Sequence, residues 1–289
     1  MTAPNASVLP TLREVGIRFS RHGYFVRSSP LTATPDAWDT LATDLERLKH
    51  GDFSALRGVL HALCEQPDWL LKRAAATILG NAGTLDEFRA MREFLECRPA
   101  RARRSYTVED REYVLQFCRA FTLWGRLDVV PVLVDQYLSL RLAGTADIAI
   151  LPVHIADLLT ADADSMIAHE PPDEHLDDYL SLVMNTHEAL VSRLGSDKQL
   201  VFRGELQSTT ALAQALRHPD PEFLHQELVD LRERFEPATG IDCSLAFTGG
   251  ACDPLAAAAI AESFLGSQRA ARMQADHRYF FGHAIPVIA

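Results

Sequence analysis

The chain has 289 residues, 47% of them hydrophobic and 23% charged, with a formal net charge of −11. That composition fits a globular protein of one large or two ordinary domains, and its acidic balance argues against nucleic-acid binding, which needs clustered Lys and Arg to displace counterions from phosphates. No apolar run approaches the roughly 18 residues of a membrane span, and the start, MTAPNASVLPTLREVG, lacks a basic stretch followed by an apolar one, so the expectation is a cytoplasmic protein with no membrane partner.

Residues 1–33 read as a β-hairpin extension. Val15, Ile17 and Phe19 alternate with polar neighbours, and His22-Gly23 turns the chain into a second short strand carrying Tyr24 and Val26. Thr34-Pro35-Asp36 then signals a helix start, with Pro at the first helical position. From there to residue 276 apolar residues recur at spacings of three and four. The series runs through Phe53, Leu56, Leu60, Leu63 and Cys64; Leu71, Ala74, Ala75 and Ile78; Phe88, Met91 and Leu95; Val114, Phe117, Cys118 and Phe121. It continues with Val130, Leu133, Val134 and Tyr137, and with Leu224, Leu228, Leu231 and Phe235. The helix holding Val114 carries a second apolar stripe, Tyr113, Phe117, Ala120 and Trp124, which predicts burial on two sides. Short breaks at Gly51-Asp52, Gln66-Pro67-Asp68, Asn81-Ala82-Gly83, Gly125-Arg126 and His218-Pro219-Asp220-Pro221 separate the helices. A loop of small residues is expected to open at Glu236-Pro237 and run to Asp253-Pro254, where another helix begins; residues 277–289 form an extended tail that pairs with the N-terminal hairpin.

Ile78-Leu79 through Gly83, Asp86 and Phe88 aligns with Ala120-Phe121 through Gly125, Asp128 and Val130, a helix ending at Gly with an Asp placed to cap the next helix in both cases. The stretch DWLLKRAAATILGNAGTLDEF resembles a HEAT repeat, the helix-turn-helix unit that stacks into α-solenoids. The resemblance implies a mainly α fold: a HEAT-like helical-repeat solenoid, one domain over 1–289, with a small β element from the N-terminal hairpin and the C-terminal tail.

The most distinctive segment runs from Leu142 to Ser192, which holds ten carboxylates and no Lys or Arg. They are Asp147, Asp157, Asp162, Asp164, Glu170, Asp173, Glu174, Asp177, Asp178 and Glu188. Between Asp173 and Leu194 the residues Leu176, Tyr179, Leu180, Val183, His187, Leu190, Val191 and Leu194 define one helical face, leaving Glu174, Asp177, Asp178 and Glu188 on the other. Acids on a solvated face need no partner, but so long a stretch without a cation points to a partner with a basic surface. His187 reads as a packed core histidine.

Other chemistry is weaker. His169 and His175 are six apart across two prolines, so they do not make the HExxH helix of metalloproteases. His277, His283, Asp276 and His22 would converge if the termini pair, beside Cys243 or Cys252, yet their spacings match no zinc motif. Gly249-Gly250 lacks the lysine of a phosphate loop, and the arginines 98, 101, 103 and 104 suit a helix break marked by Pro99. The five cysteines are odd in number and widely spaced, which fits free thiols. No catalytic residues, metal or cofactor are therefore expected.

The repeat-like segment 68–142, the acidic stretch and the ending Tyr279-Phe280-Phe281-Gly282-His283 resemble the immunity proteins encoded beside bacterial polymorphic toxins. That resemblance implies a non-catalytic module that binds and neutralises a cognate toxin through Asp157, Asp162, Asp164, Glu170, Asp173, Glu174, Asp177, Asp178 and Glu188. The alternatives are a HEAT-like scaffold for a cellular protein and a metal-dependent enzyme built on the terminal His cluster.

Overall fold

The computed structural model describes residues 36–97, 107–145, 148–162, 164–219, 224–247 and 252–287. The expected N-terminal hairpin, the arginines 98 to 104, Asp147 and Gly249-Gly250 lie outside the described residues. The helices are α1 (Ala37–Lys49), α2 (Leu56–Glu65), α3 (Trp69–Ala82), α4 (Leu85–Cys97), α5 (Val108–Trp124) and α6 (Val130–Leu142). They continue as α7 (Ile150–Leu159), α8 (Leu176–Leu194), α9 (Thr209–Arg217), α10 (Leu224–Thr239), α11 (Pro254–Leu265) and α12 (Gln268–Arg272). Strand pairs β1 (Val201–Phe202) with β2 (Glu205–Leu206), and β3 (Tyr279–Phe280) with β4 (His283–Ala284), are both antiparallel. The protein is mainly helical, as its periodicity predicts.

Local chemistry sets the boundaries. The cap of α1 is Asp36 and not Thr34: its carboxylate accepts from the Trp38 and Asp39 backbone, while Asp39 accepts from Asp36 N, a reciprocal capping box. Asp68 caps α3 and also takes the Trp38 indole N–H at 2.9 Å, pinning α1 to α3. Gly125 ends α5 in the left-handed conformation at φ 83°. The two asparates expected to cap do otherwise: Asp86 sits inside the first turn of α4, and Asp128 lies in the 3-10 turn before α6 and pairs with Arg126. The predicted loop begins later than expected, since α10 runs through Pro237 to Thr239.

Two compact units result, one of Met1–Thr84 with Ser208–Ala289, the other of Leu85–Gln207. In the first, α10 packs on α3 as well as on α9, so segments from both ends of the chain share one core. Arg278 fastens that core, its guanidinium donating to the carbonyls of Gly80, Asn81 and Gly83 at 2.6 to 3.0 Å. In the second, α5 is buried on both predicted stripes, and Phe88 stacks on Trp124 with ring centroids 3.6 Å apart.

Each unit repeats one order of elements, here called a module: a helix pair, a further helix and a two-residue hairpin, with α12 before the hairpin in the first unit. In the second unit it is α6, α7, α8 and β1–β2; in the first it is α9, α10, α11 and β3–β4. Val130, Leu133, Val134 and Tyr137 of α6 are buried, as are Thr209, Leu212, Ala213 and Leu216 of α9 at the same spacing. Leu151, His154 and Ile155 of α7 match Leu231, Arg234 and Phe235 of α10, all buried, and Tyr179 and Val183 of α8 match Ala257 and Ala261 of α11. Both hairpins turn on two residues with positive φ, Arg203 (52°) with Gly204 (76°) and Phe281 (50°) with Gly282 (80°), the signature of a type I′ turn. Each turn caps the middle helix of its module. Arg203 N donates to Asp157 O at 2.7 Å and Gly204 N to Leu158 O at 2.9 Å; Phe281 N donates to Pro237 O at 2.6 Å and Gly282 N to Ala238 O at 2.9 Å. The extended C-terminal tail therefore pairs with itself and satisfies the carbonyls that end α10.

Candidate functional site

Helix α8 forms because an acidic first turn, Asp177 and Asp178, meets the positive pole of the helix dipole, and it stops at Gly195, left-handed at φ 79°. Its inner face holds Tyr179, Val183, His187 and Leu190. Tyr179 donates its hydroxyl to Ile167 O at 3.2 Å and its ring lies against Tyr137, centroids 5.7 Å apart. His187 is buried, with Nε2 3.1 Å from Leu127 O, a packed core histidine as its place on the apolar face predicts.

The outer face carries the acids. Glu174, Asp177, Asp178 and Glu188 are all exposed. So are Asp162, Asp164, Glu170 and Asp173, while Asp157 on α7 is half-buried and passes its carbonyl to Arg203. All nine sequence-predicted positions thus belong to one unit, and eight are open to solvent. Asp162 accepts from Asp164 N at 3.0 Å, which folds the turn that displays both.

The arginines that bracket the acidic stretch are both engaged. Arg141 pairs with Asp173 at 2.6 Å and with Glu170 at 3.8 Å, donates to Pro171 O at 2.8 Å and to the Tyr137 hydroxyl, and keeps only 12% of its side chain exposed. Arg193 pairs with Glu205 at 3.2 Å and donates to Gly204 O. Two of the nine carboxylates, Glu170 and Asp173, are thereby spent on ordering the chain before α8. Asp178 faces His175 at 3.6 Å.

A second polar centre lies in the other unit, around Glu236, which the sequence places at the opening of a loop and the structure places inside α10. Glu236, fully buried at 0% exposure, accepts through Oε1 from Arg232 Nε and from Cys243 N, both at 2.8 Å. Its Oε2 has no hydrogen-bond partner among the described residues. Burial outweighs the attraction of Arg232 and the Cys243 amide and pushes the carboxyl up to about 7. Arg232 is itself buried, lies 4.5 Å from the centre of the Phe247 ring, and reaches Ser244 Oγ at 3.5 Å. Burial also raises the Cys243 thiol, so it is an inert neutral group. The cluster ties the loop after α10 to that helix. Only the spacing of Arg232 and Glu236, one helical turn apart, signalled it in the sequence. The matching residue of α7 is Ala156, so the shared module does not require a carboxylate there.

The terminal histidines each have a contact of their own. His277 Nδ1 lies 2.9 Å from Asp276, and the His283 ring fills the space over Gly51. His22 lies outside the described residues. Among the described residues no group of three or more His, Cys, Asp or Glu is placed to hold a metal ion, and no helix is long and apolar enough to cross a membrane. Comparison with protein-family models, with curated proteins and with solved structures returns no match.

Proposed function

We propose that the protein is a non-catalytic, cytoplasmic protein-binding module of HEAT-like character that captures a partner with a basic surface through the acidic face of the unit Leu85–Gln207, and that this partner is a bacterial toxin which binding neutralises. The observation that carries the reading is the run of exposed carboxylates from Asp162 to Glu188 with the adjacent Arg141 and Arg193 both tied up in ion pairs. Such a surface accelerates encounter with a cationic protein and covers the cationic site it meets. The sister module supports it as a natural control. Where α8 has Asp177 and Asp178, α11 has Leu255 and Ala256, so the architecture forms without these acids.

The test is the variant Glu174→Lys, Asp177→Lys, Asp178→Lys, Glu188→Lys, compared with wild type in affinity capture from the producing cells and then in association kinetics with the captured protein. The expected result is a modestly lower melting temperature, because Asp177 and Asp178 leave the positive pole of α8, and an association rate lower by roughly 10-fold or more at low salt, the gap closing as salt screens the field. Equal capture and equal rates at every salt concentration would remove the reading. A captured partner that is harmless when expressed alone would replace immunity with a scaffold role.

A further inference from the structure

The unit that carries the acids also exposes apolar side chains. On α7 the inward stripe is Leu151, His154, Ile155 and Leu158, all buried; the outward stripe is Ile150, Val153 and Asp157, spaced to share one face. Ile150 is 43% exposed and Val153 39%. Met166, 65% exposed, follows in the 3-10 turn Met166–Ala168, which packs on α7. Between α7 and that turn stand Asp162 and Asp164, both exposed.

Neither feature is demanded by the fold. With Asp157 and Pro237 matched as the capped carbonyls, Ile150 corresponds to Asp230 and Val153 to Glu233 of α10. The sister module puts charge where this one puts branched hydrocarbon. The acids Asp162 and Asp164 follow the C-terminal end of α7, the pole of a helix that favours cations. Aliphatic side chains in the open and carboxylates at the wrong pole both gain from being covered by a surface that is apolar in its middle and cationic at its margin.

Resting on the binding function proposed above, we infer that the outward face of α7 with Met166 is the seat of the interface, and that its occupant is an amphipathic helix of the partner protein, its apolar stripe on Ile150, Val153 and Met166 and its Lys or Arg residues on the flanking carboxylates. Charge complementarity fixes the sign of the occupant's margin, and an amphipathic helix is the element that carries one apolar stripe between cationic rows.

The experiment uses fluorescence anisotropy of the full chain with three labelled probes: a Leu/Lys peptide of about 18 residues with Leu at helical spacing, a scrambled peptide of the same composition, and an oligolysine of equal charge. The amphipathic peptide is expected to bind at least 10-fold more tightly than either control. Ile150→Ser with Val153→Ser should weaken it at least 10-fold with a modestly lower melting temperature, since more than half of each residue is covered, and Met166→Ser, at the most exposed of the three, should weaken it at an unchanged melting temperature. Equal binding of scrambled and amphipathic peptides, or full binding by both serine variants, overturns the inference. If those variants bind normally while the four-lysine variant does not, the acidic-surface reading stands and the helical seat falls; if no cationic probe binds, both fall.

Discussion

Gly204 donates its backbone N–H to the carbonyl of Leu158 at 2.9 Å, so the turn of one hairpin closes the C-terminal end of a helix that precedes it by an entire further helix. Gly282 and Ala238 repeat the arrangement at the same distance. The two glycines are nevertheless unequal in what surrounds them. A Cβ on Gly204 would stand 2.8 Å from Leu159 O, a backbone atom that cannot withdraw without uncapping α7, whereas one on Gly282 would meet the far end of the Arg269 side chain. Gly204→Ala should therefore cost about 2 kcal/mol or more, left-handed strain plus the clash, and Gly282→Ala about 1 kcal/mol, mostly strain. Urea denaturation midpoints order the pair, and an equal or reversed order would mean that the capping contact is not what fixes the glycine.

Glu236 gives a pH dependence with a definite sign. Its folded value, about 7, lies above the ordinary value of 4.5, so the native state holds a proton that the unfolded chain has released across that window. The stability it contributes is complete below pH 4.5 and is lost as pH rises through 7. The difference corresponds to about 3 kcal/mol. Glu236→Gln keeps an acceptor for Arg232 and Cys243 and does not titrate, so the wild type minus variant stability difference should fall steadily from pH 4.5 to 7.5. A flat difference over that range would show that the carboxyl is ionised throughout and held by Arg232.

Much of this was open to reading in the sequence, and the failures have physical reasons. The two-sided burial of α5 followed from Tyr113, Phe117 and Trp124 lying beside Val114 and Phe121, because side-chain chemistry reports burial directly. The acidic face of α8 was legible for the same reason. The module duplication was not, since only Phe202-Arg203-Gly204 and Phe280-Phe281-Gly282 look alike, while Val130 and Thr209, or Tyr179 and Ala257, occupy equivalent buried places with different side chains. The alignment of Gly83 with Gly125 drew attention to a different repeat, although Gly83 has φ −61° and Gly125 +83°. The capping acceptors, Asp157 O, Leu158 O, Pro237 O and Ala238 O, are backbone atoms and leave no trace in residue type. Pro237 signals a loop at Glu236 because Pro lacks the helix N–H donor, yet α10 runs through it to Thr239, where the tail hairpin caps the Pro237 and Ala238 carbonyls.

Arg141 orders the acidic surface from beneath. Its fork holds Asp173, Glu170, Pro171 O and the Tyr137 hydroxyl, and hydrogen bonds to a charged group are worth about 1.5 to 3 kcal/mol when little exposed. Arg141→Ala should lower stability by about 2 kcal/mol, and it should also free two carboxylates. Association with a cationic probe should then become more steeply salt-dependent than in wild type, because more unpaired charge faces the solvent. Lost stability with unchanged salt dependence would separate the structural role of Arg141 from any influence on the binding surface.

Arg278 bonds the C-terminal tail to the end of α3. Its two terminal nitrogens reach Gly80 O at 2.6 Å, Asn81 O at 3.0 Å and Gly83 O at 2.6 Å, three of the acceptors that a helix C-terminus leaves without intrahelical donors. The positive charge also lies at the negative pole of α3, which adds to each bond. Arg278→Ala should therefore cost about 3 kcal/mol, whereas Arg278→Lys should restore no more than about half of it, because one ammonium on a flexible stem does not span three carbonyls as a planar fork does. The tail should suffer with it: Tyr279 and Phe280 remain buried only while the hairpin is held against α3 and α10, so Arg278→Ala should expose residues 277–287 to limited proteolysis before the rest of the unit is cut. A melting temperature within error of wild type, together with a tail as resistant as before, would place the hold on the hairpin in its burial and in the Pro237 and Ala238 carbonyls alone.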